Sequence, residues 1–238
     1  MTPENRLARI AGLLYLLVAV SGGFSELYVR ARARVPGDAA ATADNISASA
    51  TLFGVGALTD MVGVACFLVL ALVLYRLLKP VGANAAVAML VLNAVSVAAM
   101  TANLPNHLGA LRAATRDQDT LAMLYLDRHA DGYLAAGIFF GLWLLPLGYL
   151  LYRSRATPRA LGVLAMAGSF GYVADAVANL LVPTVSETLT TLLVLPSVAA
   201  EAALIVWLLA RGMAPRRPPD QLPTPIEHTL VNQARRTR

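Results

Sequence analysis

Apolar residues run along this chain in six blocks, each long enough to cross a bilayer as a helix, which takes about 20 largely apolar residues for about 30 Å of hydrocarbon. The blocks fall at residues 7–27, 52–75, 82–103, 132–152, 160–181 and 189–210. An even number of spans returns the chain to the side where it began. Between the first two blocks, Asp38 is placed to cap a short Ala-rich helix through Asn45. Between the third and fourth, Asp117 is placed to cap a helix with Leu121, Leu124, Tyr125 and Arg128 on one side. Such pieces either lie flat on the bilayer or form a lid over an outward-facing cavity.

The pattern stops after Gly212, where the chain carries five prolines (Pro215, Pro218, Pro219, Pro223, Pro225) and, counting Arg211, six basic residues. A stretch of that kind buries no core, so residues 212–238 read as a disordered, basic, Pro-rich cytoplasmic tail lying against anionic lipid. Residues 1–211 read as a six-helix transmembrane domain. The expected fold class is all-α, a polytopic six-helix membrane bundle with short amphipathic helices in its outer loops.

Composition agrees. Hydrophobic residues make up 58% of the 238 and charged ones 14%, against roughly 45–50% and 25% in soluble domains. With a mean hydropathy of +0.63, this excludes a soluble enzyme, a disordered chain, a collagen-like fibre and a disulfide scaffold. Cys66 is alone, so neither an internal disulfide nor a thiolate metal cluster forms. The formal net charge of +5 does not call for nucleic acid, because lysine and arginine collect in the cytoplasmic segments of membrane proteins.

Counting by segment, 13 of the 19 basic residues lie on the side of the two termini and six on the other. This predicts cytoplasmic termini and a multi-pass protein of the plasma membrane. The cluster Arg30, Arg32, Arg34 runs against that bias. Arg6 and Arg9 before residues 10–20 also look like a secretory signal. The apolar run resumes through Phe24, Leu27, Tyr28 and Val29, which favours a retained span.

Ionisable groups cost roughly 2.5–3.5 kcal/mol at the centre of an inserted helix, so those present are paired, turned inward or used. Asp60 lies about 12 Å and Asp175 about 9 Å below the outer ends of the second and fifth spans at 1.5 Å per residue. Glu201 falls near mid-bilayer in the sixth, and Glu26 at the outer end of the first. Glu26 with Arg30, Asn103 with His107, and Asp175 with Asn179 are each four apart and share a helix face. Glu26 and Arg30 also read simply as a boundary ion pair, and Asn93, Asn103 and Asn179 as interhelical hydrogen-bond glue. His107 and His129 are expected at the interface or in a loop. Pro146 and Pro196 are expected to interrupt their helices, as at many membrane sites. Tyr15, Trp143, Tyr149, Tyr152 and Trp207 read as belt or packing positions.

No metal-ligand spacing such as two histidines four apart is present, so no metal is assigned; His107 with Asp60, Asp175 or Glu201 would close a site only in space. Ser25 and Ser169 lack any nucleophile motif, so no catalytic residue is assigned. No phosphate loop, dinucleotide fingerprint or heme-attachment motif calls for a cofactor.

The segments Arg-Leu-Ala-Arg-Ile-Ala-Gly-Leu-Leu-Tyr-Leu from Arg6, Ser-Glu-Leu-Tyr-Val-Arg from Ser25, Leu-Tyr-Arg-Leu-Leu-Lys-Pro from Leu74, and Phe-Phe-Gly-Leu-Trp-Leu-Leu-Pro-Leu-Gly-Tyr from Phe139 resemble a bacterial family of integral membrane proteins known only as a domain of unknown function, DUF4386. The resemblance covers about residues 5–212. It implies a membrane protein and brings no activity, cofactor or site residue.

The reading that results is a bundle with an outward-opening polar cavity that binds or transports a small polar or cationic ligand, or protons. Asp60, Asp175 and Glu201 form its core, and Asn103, His107, Arg30 and Glu26 lie toward its mouth. Two other classes stay open: an intramembrane lipid-modifying enzyme, metal-dependent or not, and a structural or accessory subunit. The expected partners are the bilayer, a small ligand or proton, and either a second copy or another membrane protein.

Overall fold

The computed structural model describes residues 2–182 and 184–213. The tail expected to be disordered falls, from residue 214 onward, outside the described residues. Six helices are long and apolar enough to span a membrane: α1 (Pro3–Ala33), α3 (Ala50–Leu78), α4 (Ala83–Ala114), α5 (Asp119–Ser154), α6 (Arg159–Leu181) and α7 (Glu187–Ala210). The short helix α2 (Ala39–Ala48) lies between the first two spans. The helix starts are capped as side-chain chemistry dictates. Thr2, Asp38 and Ser186 accept from the backbone N–H three residues on, at 3.3, 2.9 and 3.2 Å.

Each span packs on the next, and α7 returns to α1, so the six close into a ring. With lipid as solvent, packing and interhelical hydrogen bonds hold such a ring together, and one device recurs. A serine hydroxyl donates to a glycine carbonyl on the neighbouring span: Ser25 to Gly56 at 3.0 Å, Ser169 to Gly141 at 2.7 Å and Ser197 to Gly168 at 2.7 Å. At the crossing of α5 and α6, a methyl group on Gly162 would lie 2.6 Å from the carbonyl oxygen of Gly148, so only glycine permits that approach.

The bundle has two unlike ends. Away from α2, Ala8, Ala11, Leu70, Leu74, Leu78, Leu147, Leu151 and Leu208 make a dry core. Around that end, Lys79, Arg153, Arg159 and Arg211 lie over the rings of Tyr75, Tyr149, Tyr152 and Trp207. That is the belt expected of an interface, with cations over aromatic faces.

At the other end α4 and α5 continue past the apolar blocks. Their 32 and 36 residues reach about 48 and 54 Å at 1.5 Å per residue, far beyond the hydrocarbon. α2 packs across these extensions, burying Thr42 and placing Ala43 and Ile46 in a second apolar cluster with Val29, Phe53, Ala110, Ala114, Ala122 and Leu126. α2 thus covers the ends of α4 and α5, and none of its residues lines the cavities described below.

Several local expectations change. Asp117 caps nothing; it takes a left-handed conformation (φ 54°) in the turn before α5, and the helix expected after it is the start of α5 itself. Leu121, Leu124 and Arg128 face outward there, while Ala122, Leu126 and His129 face in. Pro146 and Pro196 lie inside continuous helices and interrupt neither.

Candidate functional site

Near its α2 end, α1 widens into a π-helical segment, Phe24–Arg30. A π turn seats residues four and five apart beside one another and is frequent at functional sites. Here it sets both Glu26 and Ser25 against Arg30 and turns the guanidinium into the bundle, where Arg30 is only 4% exposed. Arg30 Nε donates to Glu26 Oε2 at 2.8 Å, and Nη2 lies 2.7 Å from the same oxygen. Nη1 lies 2.5 Å from Asp60 Oδ2, 2.8 Å from Ser25 Oγ and 3.0 Å from His107 Nδ1. Two hydrogens thus serve three acceptors, so one is shared. Ser25 passes its own hydrogen to Gly56, which locks α1 to α3.

The tautomer of His107 follows from its partners. Nε2 is 2.9 Å from the carbonyl oxygen of Phe53. A carbonyl only accepts, so Nε2 carries the hydrogen and Nδ1 presents its lone pair to Arg30. His107 is fully buried and His129 nearly so, at 0% and 2%, and both lie on helices, which corrects the expectation of a loop or of an exposed imidazole. Their ring centroids lie 5.6 Å apart, with planes nearly perpendicular. Asn103 Nδ2 donates to the backbone oxygen of His129 at 2.8 Å, over Gly132, whose missing side chain leaves room for the amide. Asn103 is therefore the interhelical glue expected of it. Asn179 is not, since it bonds Asp175 within α6 at 3.1 Å. Asn93 is buried and has no hydrogen-bond partner among the described residues.

Beside this cluster a cavity of about 650 Å³ opens between α1, α5, α6 and α7. Its walls are Glu26, Asp131, Asp175 and Glu201 with Tyr133, Tyr172, Asn179, Thr190, Leu134, Phe140 and Val194. Among the described residues no lysine or arginine lines it. Glu201 forms its floor, held by Tyr15, which donates to Oε1 at 2.8 Å, and by Tyr172, which donates to Oε2 at 3.4 Å.

The expected core acids separate accordingly. Asp175 and Glu201 share the cavity, whereas Asp60 is taken up by Arg30 and lines a smaller recess of about 50 Å³ with Met100, Tyr133 and Phe140. The reason is charge pairing: a buried carboxylate beside a buried guanidinium is far cheaper than either alone. Glu26 joins the two regions, since it bonds Arg30 and lines the cavity.

A family model described as a domain of unknown function (DUF4386) matches residues 10–212. The chain belongs to the DUF4386 family. The match takes in all six spans and both polar regions. No curated protein and no solved structure matches this DUF4386 chain.

Four residues that sequence reasoning passed over matter here. Tyr15 and Tyr172 hold Glu201, Ser25 links Arg30 to Gly56, and Asp131 supplies a fourth cavity carboxylate. Tyr15 offered one signal, a tyrosine placed mid-span instead of at either boundary.

Proposed function

We propose that this membrane protein binds a small organic cation in the cavity between α1, α5, α6 and α7, entered from the α2 end. The carrying observation is the convergence of Glu26, Asp131, Asp175 and Glu201 on one space that no lysine or arginine lines among the described residues. Glu26 is answered by Arg30. The other three have no basic side chain within 4 Å among the described residues. Carboxylates grouped against low-dielectric walls raise the local concentration of cations. Phe140, Tyr133 and Tyr172 add ring faces for a cation, and Leu134 and Val194 add apolar wall for an organic body. The volume lies within the about 300–1,000 Å³ of small-molecule pockets. The excess of basic residues at the opposite end supports an α2 end that faces away from the cytoplasm across the plasma membrane.

The test is equilibrium binding of tetraphenylphosphonium to the full chain in lipid nanodiscs, against tetraphenylborate, which has the same shape and opposite charge. Saturable binding of the cation alone, weakened at least tenfold in Asp175→Asn/Glu201→Gln, is expected. Equal binding by the wild type and the double variant, or binding of both ions, contradicts the proposal.

A further inference from the structure

The structure assigns a second, separate site at the α2 end: Asp60, His107 and His129 form a binding site for a divalent transition-metal ion of the zinc class. It does not depend on the cavity reading. One donor atom from each residue lies within 4.8 Å of the others, and all three residues are buried. Two histidines and one carboxylate with a position left open is the composition of catalytic zinc and non-heme iron sites.

Two details point to a ligand and not to packing. The first is His107, whose Nε2–H is already committed to the carbonyl oxygen of Phe53. Ligating histidines almost always donate their other ring N–H in this way, which fixes the tautomer and aims the remaining lone pair. That lone pair, on Nδ1, is 3.9 Å from Asp60 Oδ2. The second is His129. It is 2% exposed, and neither ring nitrogen makes a well-formed hydrogen bond among the described residues, its approach to the Asn103 backbone falling short of that geometry. A buried imidazole without a well-formed hydrogen bond carries an unmet desolvation cost, and coordination meets it.

Zinc–nitrogen and zinc–oxygen distances of about 2.0–2.2 Å put donors roughly 3.4 Å apart in a tetrahedron. The His107–Asp60 pair is near that separation, and rotation of the His129 ring, which no well-formed hydrogen bond holds, closes the set. The Arg30 guanidinium lies beside Asp60 and His107 and is the cation the site must exchange. Its alternative is already in place, because Nε donates to Glu26 Oε2 and Nη2 lies 2.7 Å from the same oxygen. Metal entry therefore swings the planar guanidinium away from Asp60 as a unit, and the half-exposed Glu26 side chain moves with it.

Chelator-stripped full-length protein in detergent, titrated with Zn²⁺ against a chromogenic chelator and checked by elemental analysis after gel filtration, tests this. One Zn²⁺ per chain is expected, not displaced by millimolar Ca²⁺. His129→Gln breaks no well-formed hydrogen bond of its side chain and is expected to weaken Zn²⁺ at least about a hundredfold while leaving the elution profile unchanged. Arg30→Gln removes the competing charge and is expected to tighten Zn²⁺ about tenfold or more. The third histidine of the chain, His228, supplies the control, and His228→Gln is expected to bind as the wild type. No stoichiometric Zn²⁺, or Zn²⁺ kept by His129→Gln, or lost with His228→Gln or to Ca²⁺, overturns the assignment. Weaker binding by Arg30→Gln overturns the exchange.

Discussion

Replacing Asp60 with asparagine keeps the shape of the side chain and removes its charge from a space with almost no water. The Asp60 and Arg30 side chains are 4% and 5% exposed, so the variant leaves a guanidinium buried with one carboxylate fewer. Deleting one member of a buried pair costs about 3–5 kcal/mol, most of it the desolvation of the stranded partner. Arg30 retains two contacts to Glu26, which places Asp60→Asn near 3 kcal/mol, at the lower end of that range. The counterpart Glu26→Gln involves a side chain that is 49% exposed and is expected to cost about 1 kcal/mol or less. Arg30→Met with Asp60→Asn removes the stranded charge, so the double variant is expected to be about 2 kcal/mol more stable than the sum of the singles. Equilibrium unfolding in mixed dodecylmaltoside and dodecylsulfate micelles reads these differences through Trp143, which is buried against Tyr15 and Phe67. If Asp60→Asn lies within about 0.5 kcal/mol of the wild type, or the double variant is additive, the pair is not the buried, mutually dependent unit described above.

Gly132→Ala drives a methyl group into the Asn103 amide and frees the His129 carbonyl; about 1–3 kcal/mol of lost stability is expected in the same assay. Gly137→Ala, five residues along the same helix with nothing within 4 Å of the new methyl group, is the matched control and is expected to be neutral or stabilising. Tyr15→Phe removes the shorter of the two bonds to Glu201 and is expected to cost about 1 kcal/mol, within the range of hydrogen bonds between membrane helices, with Tyr172→Phe costing less. In a Cys66→Ser background, a thiol at Gly37 is expected to react with an impermeant reagent added to intact cells and one at Arg155 is not; the reverse result inverts the orientation.

Hydropathy marks where hydrocarbon ends, and this explains which boundaries could be read from sequence. The blocks at 52–75 and 160–181 nearly coincide with α3 and α6 because those helices stop close to the bilayer. α4 and α5 continue where Asn103, Asn106, His107, Asp127 and His129 spoil the apolar score. An Ala-rich backbone sustains the helices there, and Asn103, His107 and His129 are buried between them and their neighbours. The same packing explains the misplaced histidines, since a histidine in a polar stretch reads as solvent-exposed until a distant element covers it.

The site divides along the same line. Glu26 with Arg30 was legible because four-residue spacing is local. Asp60 with Arg30 is 30 residues apart in sequence, and it takes the π turn at Phe24–Arg30 to aim the guanidinium inward. Asp175 and Glu201 were found by their cost to the bilayer, but Tyr15, which holds Glu201 across 186 residues, looked like a packing aromatic. The penalty on buried charge names the acids, and only tertiary structure names their partners.

The central claim is that the cavity is reached by water from the α2 end and selects cations. Cysteine at Val194, on its wall, in a Cys66→Ser background tests this with methanethiosulfonate reagents of opposite charge. The account predicts modification from the α2 side, with the trimethylammonium reagent at least tenfold faster than the sulfonate after correction for intrinsic reactivity. The preference is predicted to collapse in Asp175→Asn/Glu201→Gln. Equal corrected rates for the two reagents, or modification only from the opposite side, would contradict it.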